Sequence, residues 1–216
     1  MKVFDPTLYL VTDRGGMSEK EFLDTVKKAC DGGITMIQLR EKEMDGMEYL
    51  RLALKVREIA DGYRIPLIID DRIDIALASG AAGVHLGQTD IPVCVARGLM
   101  GCDKIIGASA KTKEQALRAE DEGADYLGVG AIFPTSTKVI TRITEVSALN
   151  EIASAVKIPV VAIGGLNSAN IDVLYRSRAD GIAVVSAIMR SADPRGTAQA
   201  LKEQVLNNFA SKAGGR

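Results

Sequence analysis

Eight short apolar runs alternate with eight longer amphipathic stretches along this chain, and few folds can absorb that rhythm. The runs are Leu8 to Asp13, Met36 to Lys42, Pro66 to Asp71, Gly83 to Gly87, Lys104 to Ser109, Tyr126 to Ile132, Pro159 to Gly165 and Gly181 to Ile188. Val, Ile and Leu fill them without strict polar alternation, as in parallel strands buried on both faces. The stretches between them read as helices: Ser18 to Asp31, Gly46 to Asp61, Arg72 to Ser79, Pro92 to Met100, Thr112 to Glu122, Thr144 to Val156, Ser168 to Ser177 and Pro194 to Phe209. Ser18 with Glu21, and Thr112 with Gln115, form capping-box patterns, and Pro194 is a first-turn proline. Glycines such as Gly80 and Gly123 mark helix ends. The junctions Gly80-Ala81-Ala82-Gly83, Gly123-Ala124-Asp125-Tyr126 and Arg178-Ala179-Asp180-Gly181 recur at one place in the unit, so the chain repeats a βα element. Eight units without a compositional break predict a single (β/α)8 TIM barrel over residues 1–216; an open doubly wound sheet is the other architecture the pattern allows.

Charge removes several partners. With 27 Lys+Arg against 28 Asp+Glu, the chain lacks the basic excess that neutralises nucleic-acid phosphates, and four Phe with five Tyr offer little for base stacking. Runs such as Ile158 to Ile163 fall far short of the roughly 20 residues a membrane helix needs. The start, Met1-Lys2-Val3-Phe4-Asp5-Pro6, has no signal-peptide pattern, so a cytoplasmic location is expected. Cys30, Cys94 and Cys102 have no C-x-x-C spacing and read as inert core thiols. The sole histidine, His85, lies within a strand and reads as buried and hydrogen-bonded, with an acid or base role as the alternative. Self-association is left open.

In a barrel the reactive groups gather at the carboxyl ends of the strands. There the sequence places Gln38-Leu39-Arg40-Glu41-Lys42, Asp70-Asp71, Asp90, Ser109, Thr135-Ser136-Thr137-Lys138, Gly164-Gly165 and Val185-Ser186. Alternation puts Arg40 and Lys42 on one side, aimed at one anion; a solvated ion-pair cluster is the competing reading. Asp70, Asp71 and Asp90 are hard oxygen donors suited to Mg²⁺, or else caps for the following helices. Glycines after strand seven let backbone approach a phosphate. Neither a P-loop nor a dinucleotide fingerprint is present.

Together with His85-Leu86-Gly87-Gln88-Thr89-Asp90 and Gly107 to Thr112, these segments resemble the thiamine-phosphate synthase family, in the family's order from Tyr9 to about Pro194. The resemblance implies a Mg²⁺-dependent barrel enzyme with two small phosphorylated substrates. It would join a pyrimidine diphosphate to a thiazole phosphate, releasing pyrophosphate. It further implies that Gln38 to Lys42, Asp70, Ser109 and Lys138 hold the pyrimidine diphosphate, with Arg40, Lys42, Ser109 and Lys138 acting in catalysis. Asp71 and Asp90 would hold the metal, and Thr135, Ser136, Thr137, Gly165, Val185 and Ser186 the thiazole phosphate. The chain departs from the family with Asp70 in place of Asn and Lys111 in place of a frequent His, and the stretch Val139 to Arg142 is atypical. A thiazole tautomerase of the same barrel would need an imidazole at position 111. A non-catalytic phosphate-binding barrel would tolerate loss of the carboxylates, and a phosphosugar isomerase or aldolase needs an acid-base pair or a strand lysine.

Overall fold

The structure, a computed structural model, describes residues 4–135 and 143–209. Eight parallel strands run in sequence order: β1 (Leu8–Val11), β2 (Met36–Leu39), β3 (Leu67–Asp70), β4 (Gly83–Leu86), β5 (Ile105–Ala110), β6 (Tyr126–Gly130), β7 (Val160–Ile163) and β8 (Gly181–Val184). β8 pairs back onto β1, with Leu8 opposite Ile182 and Leu10 opposite Val184, so the sheet is a closed barrel and the open-sheet alternative falls. Around it lie α1 (Glu19–Asp31), α2 (Gly46–Tyr63), α3 (Ile73–Ser79), α4 (Val93–Met100), α5 (Lys113–Asp121), α6 (Val146–Ala155), α7 (Ser186–Met189) and α8 (Pro194–Phe209). None of the described helices is long and apolar enough to cross a membrane.

Strand alternation sorts the apolar residues into two separate clusters. Tyr9, Val11, Met36, Ile68, Ile105, Tyr126, Val161 and Ala183 fill the lumen. Their neighbours Leu8, Leu10, Ile37, Ile69, Val84, Ile106 and Leu127 face outward, against Phe22, Val26, Tyr49, Leu52 and Val56 of the helices. Each fully buried side chain of this kind contributes about 1.5–3 kcal/mol.

The recurring junctions have a physical basis. Asp125 precedes β6, and its carboxylate accepts the Ile106 N–H of β5 at 2.8 Å. Asp180 precedes β8 and accepts the Val160 N–H of β7 at 2.9 Å. Each aspartate thus satisfies a donor at the start of the neighbouring strand. The box at Ser18 forms as read: its hydroxyl accepts the Glu21 N–H at 3.3 Å, and the Glu21 carboxylate accepts the Ser18 N–H at 2.9 Å.

Three expectations change. The helix expected from Ser168 to Ser177 is only a 3₁₀ turn over Ile171–Leu174. Asn167 Oδ1 accepts the Ala169 N–H, Asn170 Oδ1 accepts the Asn167 N–H, and Asn170 Nδ2 donates to the Gly165 carbonyl, so local side-chain bonds take the groups a helix start would use. The eighth strand stops at Val184, and Ser186–Met189 turn into α7, an apolar run whose helical nature periodicity cannot reveal. Cys30 is buried as read, and burial lifts its thiol to about 12, but Cys94 and Cys102 are exposed rather than core residues.

Candidate active site

Inward-facing positions at the carboxyl ends of the strands enclose a cavity of about 330 Å³. Past β2 the alternation continues, so Gln38, Arg40 and Lys42 all line it. Leu39 and Glu41 do not. Leu39 packs into the outer layer, where its carbonyl accepts the Tyr49 hydroxyl at 2.7 Å. Glu41 is half-buried with Oε1 lacking a hydrogen-bond partner, and burial raises its pKa. Of the five residues in that segment, the odd-numbered pair is therefore withdrawn from side-chain contact with a ligand.

Asp70, Asp71, Asp90, Ser109, Thr135, Gly165, Val185 and Ser186 line the same cavity, as does Lys111. Ser136, Thr137 and Lys138 lie outside the described residues, as does Val139 to Arg142. Residues read from seven separate segments thus reach one mouth because each sits where its strand ends.

The carboxylates do not cap helices. The N-cap positions of α3 and α4 are Arg72 and Pro92, and neither helix has a side-chain cap bond. Asp90 instead turns back, its Oδ2 accepting the Gly87 N–H at 2.7 Å. Burial and the neighbouring Asp71 carboxylate raise the pKa of Asp90, against the pull of that N–H. Asp71 holds a left-handed backbone with φ 59°, a conformation uncommon outside glycine. Lys42 bridges the acids, ion-paired with Asp71 and lying 2.8 Å from Asp70, while Arg40 Nε stands 3.7 Å from Asp70. Burial lowers the pKa of Lys42, but the hydrogen bonds to Asp70 and Asp71 outweigh it and leave the ammonium more firmly charged. The cations thus pair directly with carboxylates in the cavity wall, in a cluster that stays partly solvated because the Lys42 side chain is 46% exposed.

On the opposite side, Gly165 adopts φ 64°, and a Cβ there would lie 2.7 Å from Phe133 Cβ and from the Pro134 carbonyl oxygen. Only glycine fits, which keeps that wall open beside Ser186 at the start of α7.

Two residues escaped sequence reasoning. Tyr9 and Tyr126 are fully inside the lumen, their hydroxyls 2.8 Å apart, and Tyr126 lies 3.1 Å from His85 Nδ1. His85 Nε2 lies 3.0 Å from Ser109 Oγ. Burial pushes the imidazole down to about 4, so it is neutral near pH 7; it is hydrogen-bonded as expected but only partly buried, with one side on the cavity. The tyrosines are 117 residues apart in sequence and look like ordinary core aromatics; only barrel closure brings them together.

A barrel whose mouth sets two fixed cations against paired carboxylates, with a glycine wall opposite, defines an enzyme acting on small phosphorylated molecules. A family model described as thiamine monophosphate synthase matches residues 8–188. The chain is 50% identical over 200 residues to thiamine-phosphate synthase 2 of Streptococcus pneumoniae, covering 93% of this chain and 95% of that protein. It is 48% identical over 208 residues to thiamine-phosphate synthase of Clostridium acetobutylicum, covering 96% and 99%. Among solved structures, thiamine phosphate pyrophosphorylase from Pyrococcus furiosus superposes with a TM-score of 0.86 at 40% identity, covering 94% of this chain and 97% of that one. The chain belongs to the thiamine monophosphate synthase family and, with it, is a transferase.

Proposed function

We propose that the cavity condenses 4-amino-2-methyl-5-(diphosphooxymethyl)pyrimidine with 4-methyl-5-(2-phosphooxyethyl)thiazole, giving thiamine phosphate and pyrophosphate. The observation that carries this reading is the pairing of Asp71 with Asp90, two carboxylates that cap no helix and line one mouth with Arg40 and Lys42. The C–O bond of the pyrimidine methylene breaks, and its electron pair leaves with the diphosphate. The thiazole nitrogen lone pair then forms the new C–N bond. In this substitution the thiazole nitrogen is the nucleophile, so the protein need supply none.

Arg40 and Lys42 hold the departing diphosphate by charge, and Ser109 by its hydroxyl; Lys138 joins them by family resemblance. Holding both substrates in line supplies much of the remaining rate enhancement. Thr135, Gly165, Val185 and Ser186 take the thiazole phosphate, with Ser136 and Thr137 joining them by family resemblance. Asp70 lies beside the pyrimidine subsite. Leu39 and Glu41 can serve only through their backbone.

The donor set fits Mg²⁺. No described group of three or more His, Cys, Asp or Glu could hold a metal by itself, and Mg²⁺ characteristically takes one or two carboxylates, with water and substrate phosphate completing its shell. Asp71 and Asp90 would be those two. When bound, the ion neutralises negative charge developing on the leaving diphosphate. A thiazole tautomerase reading is disfavoured because position 111, which lines the cavity, carries Lys and not an imidazole. The test is to mix purified protein, Mg²⁺ and both substrates and follow pyrophosphate and thiamine phosphate together. Absence of both products would end this reading.

A further inference from the structure

Five side chains from five strands join in one line across the lumen, and the middle of that line has no part in the chemistry above. Gln38 Nε2 on β2 donates to Tyr9 Oη on β1 at 3.0 Å. The Tyr9 and Tyr126 hydroxyls are 2.8 Å apart, Tyr126 lies 3.1 Å from His85 Nδ1, and His85 Nε2 lies 3.0 Å from Ser109 Oγ. The space is reserved for it: a Cβ on Gly107 would lie 2.1 Å from the Tyr126 ring. All five residues line the cavity, Tyr9, Gln38 and Tyr126 with buried side chains, so the line runs along its wall to Ser109.

Counting protons gives the line a direction. Each hydroxyl carries one hydrogen, and a neutral imidazole carries one N–H. The Gln38 amide already fills an acceptor position on Tyr9, so the Tyr9 proton goes to its other hydroxyl partner, Tyr126. Tyr126 in turn gives its proton to His85 Nδ1. The ring's own hydrogen then sits on Nε2 and is donated to Ser109 Oγ. Ser109 receives a hydrogen bond on its oxygen, so its own proton is free to point into the cavity. The reverse direction would leave the Tyr9 hydrogen without an acceptor among these five side chains, facing only the cavity that Tyr9 also lines.

We propose that Gln38, Tyr9, Tyr126 and His85 form a one-way hydrogen-bond chain that fixes His85 as the Nε2–H tautomer and makes Ser109 a committed donor to the leaving diphosphate. Tyr9, Tyr126 and His85 are then positioning residues, and their role at the diphosphate rests on the proposed function. Because the chain contains a single histidine, ¹⁵N spectra of tag-free, imidazole-labelled protein at neutral pH read the tautomer directly. The expected spectrum has a protonated Nε2 and a bare Nδ1. An Nδ1–H ring, an even mixture or an imidazolium overturns the proposal without reference to any variant. Tyr126→Phe removes the donor to Nδ1; it is expected to scramble the tautomer and lower kcat about tenfold, with KM for the pyrimidine diphosphate little changed, since a donor to the leaving group acts most as charge develops. An unchanged tautomer in a folded Tyr126→Phe protein would also overturn it. If the wild-type tautomer is as stated but no pyrophosphate is released, the proposed function fails while the hydrogen-bond chain stands.

Discussion

Asp71 combines a left-handed backbone with a carboxylate held between Lys42 and Asp90, and the two demands select different substitutions. Asparagine tolerates φ near 60° almost as well as aspartate, so Asp71→Asn removes charge without imposing strain. Turnover should fall about 100-fold, the scale of losing one preorganised electrostatic contact, while the melting temperature stays close to wild type. Wild-type rates would detach Asp71 from the chemistry. Asp70 is different, because its 9% exposed carboxylate lies between Arg40 and Lys42 and competes with an incoming diphosphate for both. Asp70→Asn should keep or raise kcat and lower KM for the pyrimidine diphosphate; a collapse in rate would give that carboxylate a task of its own.

Among the elements, the aspartates at the junctions stitch unit to unit at the end of the barrel remote from the cavity. Val160 is 1% exposed, and its N–H depends on Asp180. Asp180→Ala should cost about 1–3 kcal/mol, the price of an unmet buried donor, and leave kcat and KM unchanged. Denaturant titration beside a steady-state assay separates the two effects; a loss of activity at full folding would be the contrary result. The same elements explain what the sequence discloses. Order and type of the strands are legible because doubly buried runs such as Leu67–Asp70 are short, β-branched and bounded by turn residues. The mouth is legible because charged residues gather where those runs end, as Arg40 with Lys42 and Asp70 with Asp71 do. Hidden from it are α7, whose apolar residues read equally as strand, and the failed helix near Asn167 and Asn170, where side chains compete with helical hydrogen bonding. The Tyr9–Tyr126 contact is hidden for a third reason: it exists only after β1 and β6 face each other across a closed lumen.

For the whole molecule, the interior imidazole links stability to pH. Burial depresses His85 from 6.5 to about 4, against the attraction of Asp70 and Asp90 and with the repulsion of Lys42. Between those values the unfolded chain binds the proton and the folded one does not, so stability rises with pH across that window and is flat above it. Going from pH 7 to below 4 should remove up to roughly 3 kcal/mol through this residue alone. Denaturation midpoints of wild type and His85→Gln at pH 7 and 4.5 isolate it, since other acids titrate in both; equal losses would refute the linkage. The separation of lumen from outer layer has a consequence of a different kind. Side chains that plug the lumen form a cluster apart from those that bind the helical coat, and only a few of the latter, Ala110, Leu166 and Val184, also reach the cavity. Chemistry and scaffold therefore draw on largely different side chains, which leaves most of the coat free to vary without touching what the mouth binds.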